Sequence, residues 1–147
     1  MEQDCRISDA EWQVMRIVWT LGTASSSQIV AQLTAKFSWS PSTTKTLLRR
    51  LEKKGFLQVD RLGHRFSYRA ALGETEAMHQ SLQADFANMC DMRKGEMILR
   101  LLDELPLSRK DLEAIALKAG QKAKTAPEKV DCNCLSSCQQ EEGGQKC

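Results

Sequence analysis

The sequence predicts a mainly α-helical chain with a small β-wing, and three observations lead to that fold class. Three amphipathic helical segments succeed one another up to Gly55. Two short strand-like runs follow at 56–61 and 65–70, and from about Gly73 the apolar spacing is helical again. Three helices and then a two-stranded ribbon form the order of a winged helix-turn-helix. The alternatives are a generic small α+β domain and a winged helix used only for protein contacts.

The first two helices have clear boundary signals. Ser8 is the predicted N-cap of the first helix, Glu11 completes a capping box, and Gly22 ends the helix. Its wide apolar face consists of Trp12, Met15, Ile17, Val18, Trp19 and Leu21. The second helix opens at the serine run 25–27 and continues through Phe37.

The third helix and the ribbon are bounded in the same way. Ser40 is the predicted N-cap, Pro41 occupies the favoured first helical position, and Gly55 ends the helix. The two strand-like runs are joined by the tight connection 62–64, which contains Gly63 and predicts a hairpin.

The two sides of the third helix differ in chemistry. At 100° per residue, the side predicted to be core carries Thr44, Leu47, Leu48 and Leu51. The opposite side carries Ser42, Thr46, Arg49 and Lys53, flanked by Lys45 and Arg50. A recognition helix needs such short polar side chains and cations to reach base edges and phosphates. On the ribbon, Arg65 is placed for a phosphate contact.

The charge of the chain is divided unevenly between its halves. Residues 1–71 hold 11 Lys and Arg against 6 Asp and Glu, a net +5, whereas residues 72–147 hold 10 against 13, a net −3. A basic front half indicates a polyanionic partner. A merely soluble surface is the alternative.

The second half of the chain predicts three further amphipathic helices. Their apolar stripes begin at Met78, Met97 and Leu112, and Ser108 caps the last helix. Such a helical region is a common dimerisation device, and the alternative is that it packs on its own winged helix. The predicted organisation is a winged-helix DNA-binding domain at 6–71, a helical dimerisation region at 72–121, and a linker with a flexible cysteine-rich tail at 122–147.

The tail carries four thiols: Cys132, Cys134, Cys138 and Cys147. They lie in a polar segment, away from any apolar face, and thiolates are soft ligands that favour Cu(I) and Zn(II). Zn(II) takes four ligands, whereas Cu(I) accepts two or three thiolates. Cys147 supplies the fourth ligand in one interpretation, and a partner chain supplies the remaining sulfurs in the other. Cys90 follows a helical apolar pattern and is predicted to be core, and Cys5 is predicted to be inert.

Several classes of protein are excluded. No apolar run approaches the roughly 20 residues that span a bilayer, and the polar N-terminus is not a signal peptide. We therefore expect a cytoplasmic protein without a membrane partner, whose cysteines are free or metal-bound. The chain has no glycine-rich phosphate loop and no histidine near a candidate nucleophile, so we expect no enzymatic activity.

Three stretches together, ISDAEWQVMRIVW, SPSTTKTLLRRLEKKGFL and GHRFSYRA, resemble the BlaI/MecI/CopY family of bacterial winged-helix repressors. The resemblance covers about residues 6–120. It implies a homodimer that binds palindromic operator DNA with TACA and TGTA half-sites, upstream of genes for copper-exporting ATPases and copper chaperones. The DNA-binding residues that it implies are Ser42, Thr43, Lys45, Thr46, Arg49, Arg50 and, on the wing, Arg65.

The cysteine tail is similar to that of the CopY branch, the copper-responsive repressors. This resemblance implies that the Zn(II) form binds DNA, that Cu(I) displaces zinc at the tail cysteines and releases the operator, and that a copper chaperone delivers Cu(I). The branch motif is C-x-C-x4-C-x-C, whereas this chain has C-x-C-x3-C, eight further residues, and Cys147. A repressor that senses zinc, cadmium or thiol oxidation is the alternative. A copper-buffering binding module without operator specificity is a rival of a different class.

Overall fold

The computed structural model describes residues 6–136, and the chain divides into two compact units between Gln83 and Ala84. The first unit contains α1 (Asp9–Leu21), β1 (Thr23–Ser25), α2 (Ser26–Phe37), α3 (Pro41–Lys54), β2 (Leu57–Leu62) and β3 (Arg65–Ala70). Helix α4 (Glu74–Ala87) begins in the first unit and ends in the second. The second unit continues with a 3-10 turn (Asp91–Arg93), α5 (Lys94–Glu104) and α6 (Arg109–Ala123). The predicted order of a winged helix is confirmed.

The predicted helix boundaries are present as hydrogen-bonded caps. Ser8 Oγ accepts from the backbone N–H of Glu11 at 3.3 Å, and Glu11 Oε2 accepts from the N–H of Ser8 at 2.9 Å, which completes the capping box of α1. Ser40 Oγ accepts from the N–H of Thr43 at 3.2 Å at the start of α3. Gly55 ends α3 with φ +85°, a backbone conformation that glycine adopts without strain.

The sheet has three antiparallel strands in the order β1-β3-β2, one more than the predicted ribbon. Strands β2 and β3 form the predicted hairpin, in which Leu62 is opposite Arg65 across the turn at Gly63. The additional strand β1 has only three residues, and Ala24 lies opposite Tyr68 of β3. A strand this short has no alternating pattern of its own, so its pairing depends on β3 being beside it.

The core of the first unit lies between the three helices and the sheet. The fully buried side chains include Val14, Met15 and Val18 of α1, Ile29 and Leu33 of α2, and Leu48 and Leu51 of α3. The four residues predicted as the inner side of α3 are all buried, which confirms the orientation of that helix. Trp19 adds a hydrogen bond from its indole N–H to the carbonyl of Leu72 at 2.8 Å.

The second unit exposes its apolar side chains. None of the residues 84–136 is fully buried, and the large apolar residues left exposed include Met97, Ile98, Leu99, Leu105, Leu112 and Leu117. Ser108 caps α6 as predicted, because its Oγ accepts from the N–H of Asp111 at 3.1 Å. No helix within residues 6–136 has both the length and the apolar character needed to cross a membrane.

Candidate nucleic-acid interface and thiol cluster

The outer face of α3 presents all six DNA-binding candidates of that helix to solvent. Ser42, Thr43, Lys45, Thr46, Arg49 and Arg50 are exposed, whereas Thr44, Leu47, Leu48 and Leu51 are buried. The apolar spacing decides which side of the helix faces the core, and this leaves the hydroxyls and cations outside. Arg65 is also exposed, at the start of β3 beside the wing turn.

The hydroxyl groups at the start of α3 form a small network. Ser40 Oγ lies 3.0 Å from Ser42 Oγ and 2.9 Å from Thr43 Oγ1. One turn further on, Thr46 Oγ1 donates to the carbonyl of Ser42 at 3.0 Å. These contacts hold the side chains in defined positions, and hydroxyl oxygens keep acceptor capacity for an external donor.

The cations of this face are not paired with carboxylates of residues 6–136. Within the described part of the chain, no carboxylate lies at salt-bridge distance from Lys45, Arg49, Arg50 or Arg65. Arg61 differs, because its Nη2 donates to both carboxylate oxygens of Glu52 at 2.8 and 3.0 Å and its guanidinium lies 5.6 Å from the centre of the Phe66 ring. Arg61 therefore joins the wing to α3, and the unpaired cations are the ones available to phosphates.

A buried ion pair holds α3 against α1. Lys54 Nζ donates to Glu11 Oε2 at 2.8 Å and to the carbonyl of Arg6 at 2.8 Å. The Glu11 side chain is 2% exposed and that of Lys54 is 20% exposed. Since Glu11 also completes the cap of α1, one carboxylate connects the start of α1 with the end of α3.

In the second unit, Cys90 forms a cluster with two tail cysteines that are more than 40 residues away in sequence. The Sγ atoms of Cys90, Cys132 and Cys134 all lie within 4.8 Å of one another, and those of Cys90 and Cys132 are 3.6 Å apart. Cys90 and Cys132 are half-buried and Cys134 is exposed. The structure therefore brings two of the four predicted metal ligands together, whereas Cys138 and Cys147 lie outside the described residues.

The position of Cys90 corrects the prediction that it is a core residue. Helix α4 ends at Ala87, so Cys90 lies beyond the helix and precedes the 3-10 turn. Its thiol lies against the tail and not among apolar side chains of a core. Cys90 could not be identified as a candidate ligand from the sequence, because its spacing from Phe86 and Met89 continues the apolar pattern of a helix. The one sequence feature that it shares with the tail ligands is that it is a cysteine.

Backbone contacts fix the tail beside this turn. The N–H of Asp91 donates to Asn133 Oδ1 at 3.0 Å, and Asn133 is the residue between Cys132 and Cys134. The N–H of Cys134 donates to Cys132 Sγ at 3.4 Å. Asp91 also forms an ion pair with Lys94.

Two thiols of the cluster have pKa values shifted in opposite directions. Hydrogen bonds with Cys132 and Cys90 raise the pKa of Cys134 to about 12. The pKa of the Cys90 thiol is lowered, first by its hydrogen bond with Cys134 and further by those with Cys132 and with the backbone at Met92 and Arg93. Deprotonation is therefore easier at Cys90 than at Cys134, because the pKa of Cys90 is lowered and that of Cys134 is raised.

The donor set fits a soft metal ion. Sulfurs that each lie about 2.3 Å from one ion are about 3.8–4.0 Å from one another. The observed Sγ–Sγ distances are all within 4.8 Å. Movements of the sulfur atoms by less than a bond length would bring these distances to the values expected around one ion. Three thiolates suit Cu(I), and Zn(II) requires one ligand more.

Comparison with known proteins places this chain among repressors. The family described as penicillinase repressor matches residues 7–119. A Latilactobacillus sakei protein described as an uncharacterized 16.5 kDa protein in the ptsI 3' region is 43% identical over 144 residues, which cover 96% of this chain and 99% of that protein. The methicillin resistance regulatory protein MecI of Staphylococcus aureus is 28% identical over 109 residues, which cover 74% of this chain and 89% of MecI.

Among solved structures, the Bacillus licheniformis repressor BlaI, in monomeric form in complex with the blaP half-operator, matches with 35% identity and a TM-score of 0.44. The match covers 48% of this chain and 87% of that one. The family consists of DNA-binding repressors and not of enzymes, which confirms the expectation that the chain is not an enzyme. The chain belongs to the penicillinase repressor family and is a transcriptional repressor with a winged-helix DNA-binding domain.

Proposed function

We propose that this repressor is copper-responsive and that it binds a palindromic operator as a homodimer. The observation that carries the copper-responsive part is the convergence of thiols 42 residues apart in sequence, with Sγ atoms 3.6 Å apart at Cys90 and Cys132. Cysteines that serve only as core residues pack among apolar side chains, and these three lie at a half-exposed surface.

The outer face of α3 supplies the proposed DNA contacts. Ser42, Thr43 and Thr46 present hydroxyls at the N-terminal half of the helix, the part that enters the major groove in helix-turn-helix proteins. Lys45, Arg49 and Arg50 supply cations for base edges and phosphates, and Arg65 supplies one from the wing. The proposed operator has TACA and TGTA half-sites, as the resemblance to the CopY branch implies.

The proposed homodimer covers the apolar surface of α5 and α6. Ile98 is 48% exposed, Leu99 66% and Leu117 65%, which is costly for isolated amphipathic helices in water. A two-fold dimer presents two copies of α3, and a palindromic operator has the same symmetry.

The proposed switch uses the tail thiols Cys132, Cys134, Cys138 and Cys147. Their thiolates hold Zn(II) in the operator-bound form and exchange it for Cu(I), delivered in the cytoplasm by a copper chaperone, after which the repressor leaves the DNA. A metal ion that is bound by several thiolates links residues that are otherwise not connected, and this changes the conformation of the tail. A coupling free energy of about 1–3 kcal/mol between metal binding and operator binding is enough for such a switch.

The test is operator binding by the full chain, measured by fluorescence anisotropy under strict reduction with a duplex that carries the two half-sites. Zinc-loaded protein is expected to bind tightly, and titration with Cu(I) is expected to release it. A duplex with scrambled half-sites is the DNA control. Binding that responds to neither metal would overturn copper sensing, and equal binding to both duplexes would favour a copper-buffering module.

A thiol-oxidation sensor is the second candidate, and the 3.6 Å between the sulfurs of Cys90 and Cys132 favours it. A hydrogen peroxide molecule would accept two electrons and two protons from the two thiols, with formation of one disulfide and two water molecules. Operator release by peroxide, reversed by a reducing dithiol and independent of Cu(I), would identify this function. Release by Zn(II) or Cd(II) alone would identify a sensor of those ions.

A further inference from the structure

We propose that Cys90 is a metal ligand, so that the metal site comprises Cys90, Cys132 and Cys134 and its occupation fastens the tail to the junction of α4 and α5. This inference rests on the proposed metal binding and goes beyond it, because the Cu(I) ion takes a ligand from outside the tail, Cys90, together with two of the four tail thiols. It commits to Cu(I), the soft ion that three thiolates satisfy without a fourth ligand.

The distances support a single ion between the three sulfurs. All three Sγ atoms lie within 4.8 Å of one another, and Cys90 and Cys132 are at 3.6 Å. That separation is far longer than the roughly 2.05 Å of a disulfide, and close to the 3.8–4.0 Å expected around one ion. The thiols are therefore placed for a metal with little rearrangement.

A second contact, which involves no thiol, fixes the tail at the same place. The N–H of Asp91 donates to Asn133 Oδ1 at 3.0 Å, directly after Cys90 in the chain. Because Asn133 separates Cys132 from Cys134, this bond places both tail thiols next to the turn that carries Cys90. The cluster is thus supported by a polar contact between the same two segments.

The topology gives the site a mechanical consequence. The segment between Cys90 and Cys132 contains all of α5 and α6, the two helices whose apolar surfaces are exposed. A metal that joins these two residues closes that segment into a loop and restricts how its helices are arranged. Metal binding at this site would then change the arrangement of the proposed dimer surface directly, because the helices that form this surface lie within the closed loop.

The first experiment measures which thiols Cu(I) protects in the full wild-type chain. The reduced protein is treated with an alkylating reagent with and without one equivalent of Cu(I), and each cysteine is quantified by mass spectrometry of peptides. We expect Cys90 to be protected together with Cys132 and Cys134, and a Cu(I) chelator to restore its alkylation. Protection of tail cysteines while Cys90 reacts at its metal-free rate would overturn the inference and leave the proposed function standing.

The second experiment compares variants in a Cu(I) competition titration against a chromogenic chelator. Cys90→Ser and Cys90→Ala are expected to weaken Cu(I) binding at least about 10–100-fold, the loss seen even for outer-sphere partners of a metal. Cys5→Ser removes a thiol that is predicted to be inert and should bind as the wild type does. Unchanged affinity in both Cys90 variants would overturn the inference, and a wild-type chain that binds no Cu(I) would overturn the proposed function with it.

Discussion

A single residue, Glu11, connects the start of α1 with the end of α3. Glu11 is almost completely buried, accepts from the N–H of Ser8, and pairs with Lys54 at the end of α3. The capping role was predictable from the spacing of Ser8 and Glu11, but the partner 43 residues away was not. A buried carboxylate with two such contacts is costly to remove, because its loss leaves a largely buried ammonium without its charge partner.

Glu11→Ala is expected to lower the free energy of unfolding by about 3 kcal/mol, the lower end for a broken buried ion pair because Lys54 stays 20% exposed. The shift of the urea midpoint measures it. Asp9→Ala removes an exposed carboxylate from the same helical turn and should cost only about 0.3–1 kcal/mol. Equal effects of the two substitutions would contradict the role assigned to the buried pair.

The arginines of the first unit are expected to differ in how they affect DNA binding. Arg65→Ala should weaken binding to all duplexes similarly and reduce the slope of log K against log salt by about 0.9, the value for one phosphate contact. Arg49→Ala should cost about 1–3 kcal/mol more on the operator than on a scrambled duplex, if its guanidinium reads a base.

Arg16→Ala is the matched control for both arginine variants, since Arg16 is exposed on α1 and bonded to Gln13. Arg16→Ala removes one positive charge at a position outside α3 and the wing. This variant should therefore have the same slope of log K against log salt as the wild type. A slope that Arg65→Ala and Arg16→Ala reduce equally would show that net charge alone governs binding.

At the scale of elements, four of the six α-helices in residues 6–136 begin at a local signal in the sequence. Helices α1, α2 and α6 have complete capping boxes, at Ser8, Ser25 and Ser108, and α3 begins with a serine cap followed by Pro41. The strands depend more on context: β1 exists only because β3 lies beside it. Helix α6, whose apolar side chains are exposed, therefore relies on its cap more than the packed helices of the first unit do.

The start of α6 should depend on pH. Hydrogen bonds from the hydroxyl and N–H of Ser108 hold the pKa of Asp111 below its ordinary range. A carboxylate with a lowered pKa stabilises the folded form above its unfolded pKa, near pH 4, and loses that contribution as the pH falls through the folded value. The hydrogen-exchange protection factors of the first turn of α6, which are the rates corrected for the intrinsic pH dependence of amide exchange, should therefore fall below about pH 4. Asp111→Asn should show lower protection at pH 7 without that pH dependence.

At the scale of the whole molecule, the two units have different requirements for stability. The first encloses a core of its own, whereas within residues 84–136 no side chain is fully buried. Helices with exposed apolar side chains are stabilised when a second surface covers those side chains. The acidic half of the chain thus carries the proposed dimer surface and the proposed metal site, and the basic half carries the proposed DNA-binding face.

Ile98→Asp combined with Leu105→Asp is expected to shift the protein towards a monomer, because Ile98 lies on α5, Leu105 is the residue that directly follows this helix, and both apolar side chains are about half exposed. Sedimentation analysis should show the dimer dissociation constant raised at least about tenfold, which corresponds to about 1.4 kcal/mol. Arg100→Ala alters the opposite side of α5 and should leave the dimer intact. A wild-type chain that is monomeric at all concentrations would contradict the proposed dimer.

The sequence by itself determined the helix order, the ends of α1, α2 and α3, the start of α6, the hairpin, the inner and outer sides of α3, and the presence of tail thiols. These features depend on hydrogen bonds within a few residues and on apolar periodicity, both of which are written in consecutive positions. Only the tertiary structure decided that Thr23–Ser25 is a strand, that Lys54 and Arg61 are engaged by Glu11 and Glu52, and that Cys90 meets Cys132. Apart from the nearby Arg61–Glu52 pair, these contacts join segments more than 40 residues apart, and no local pattern specifies which distant residue will lie across from another.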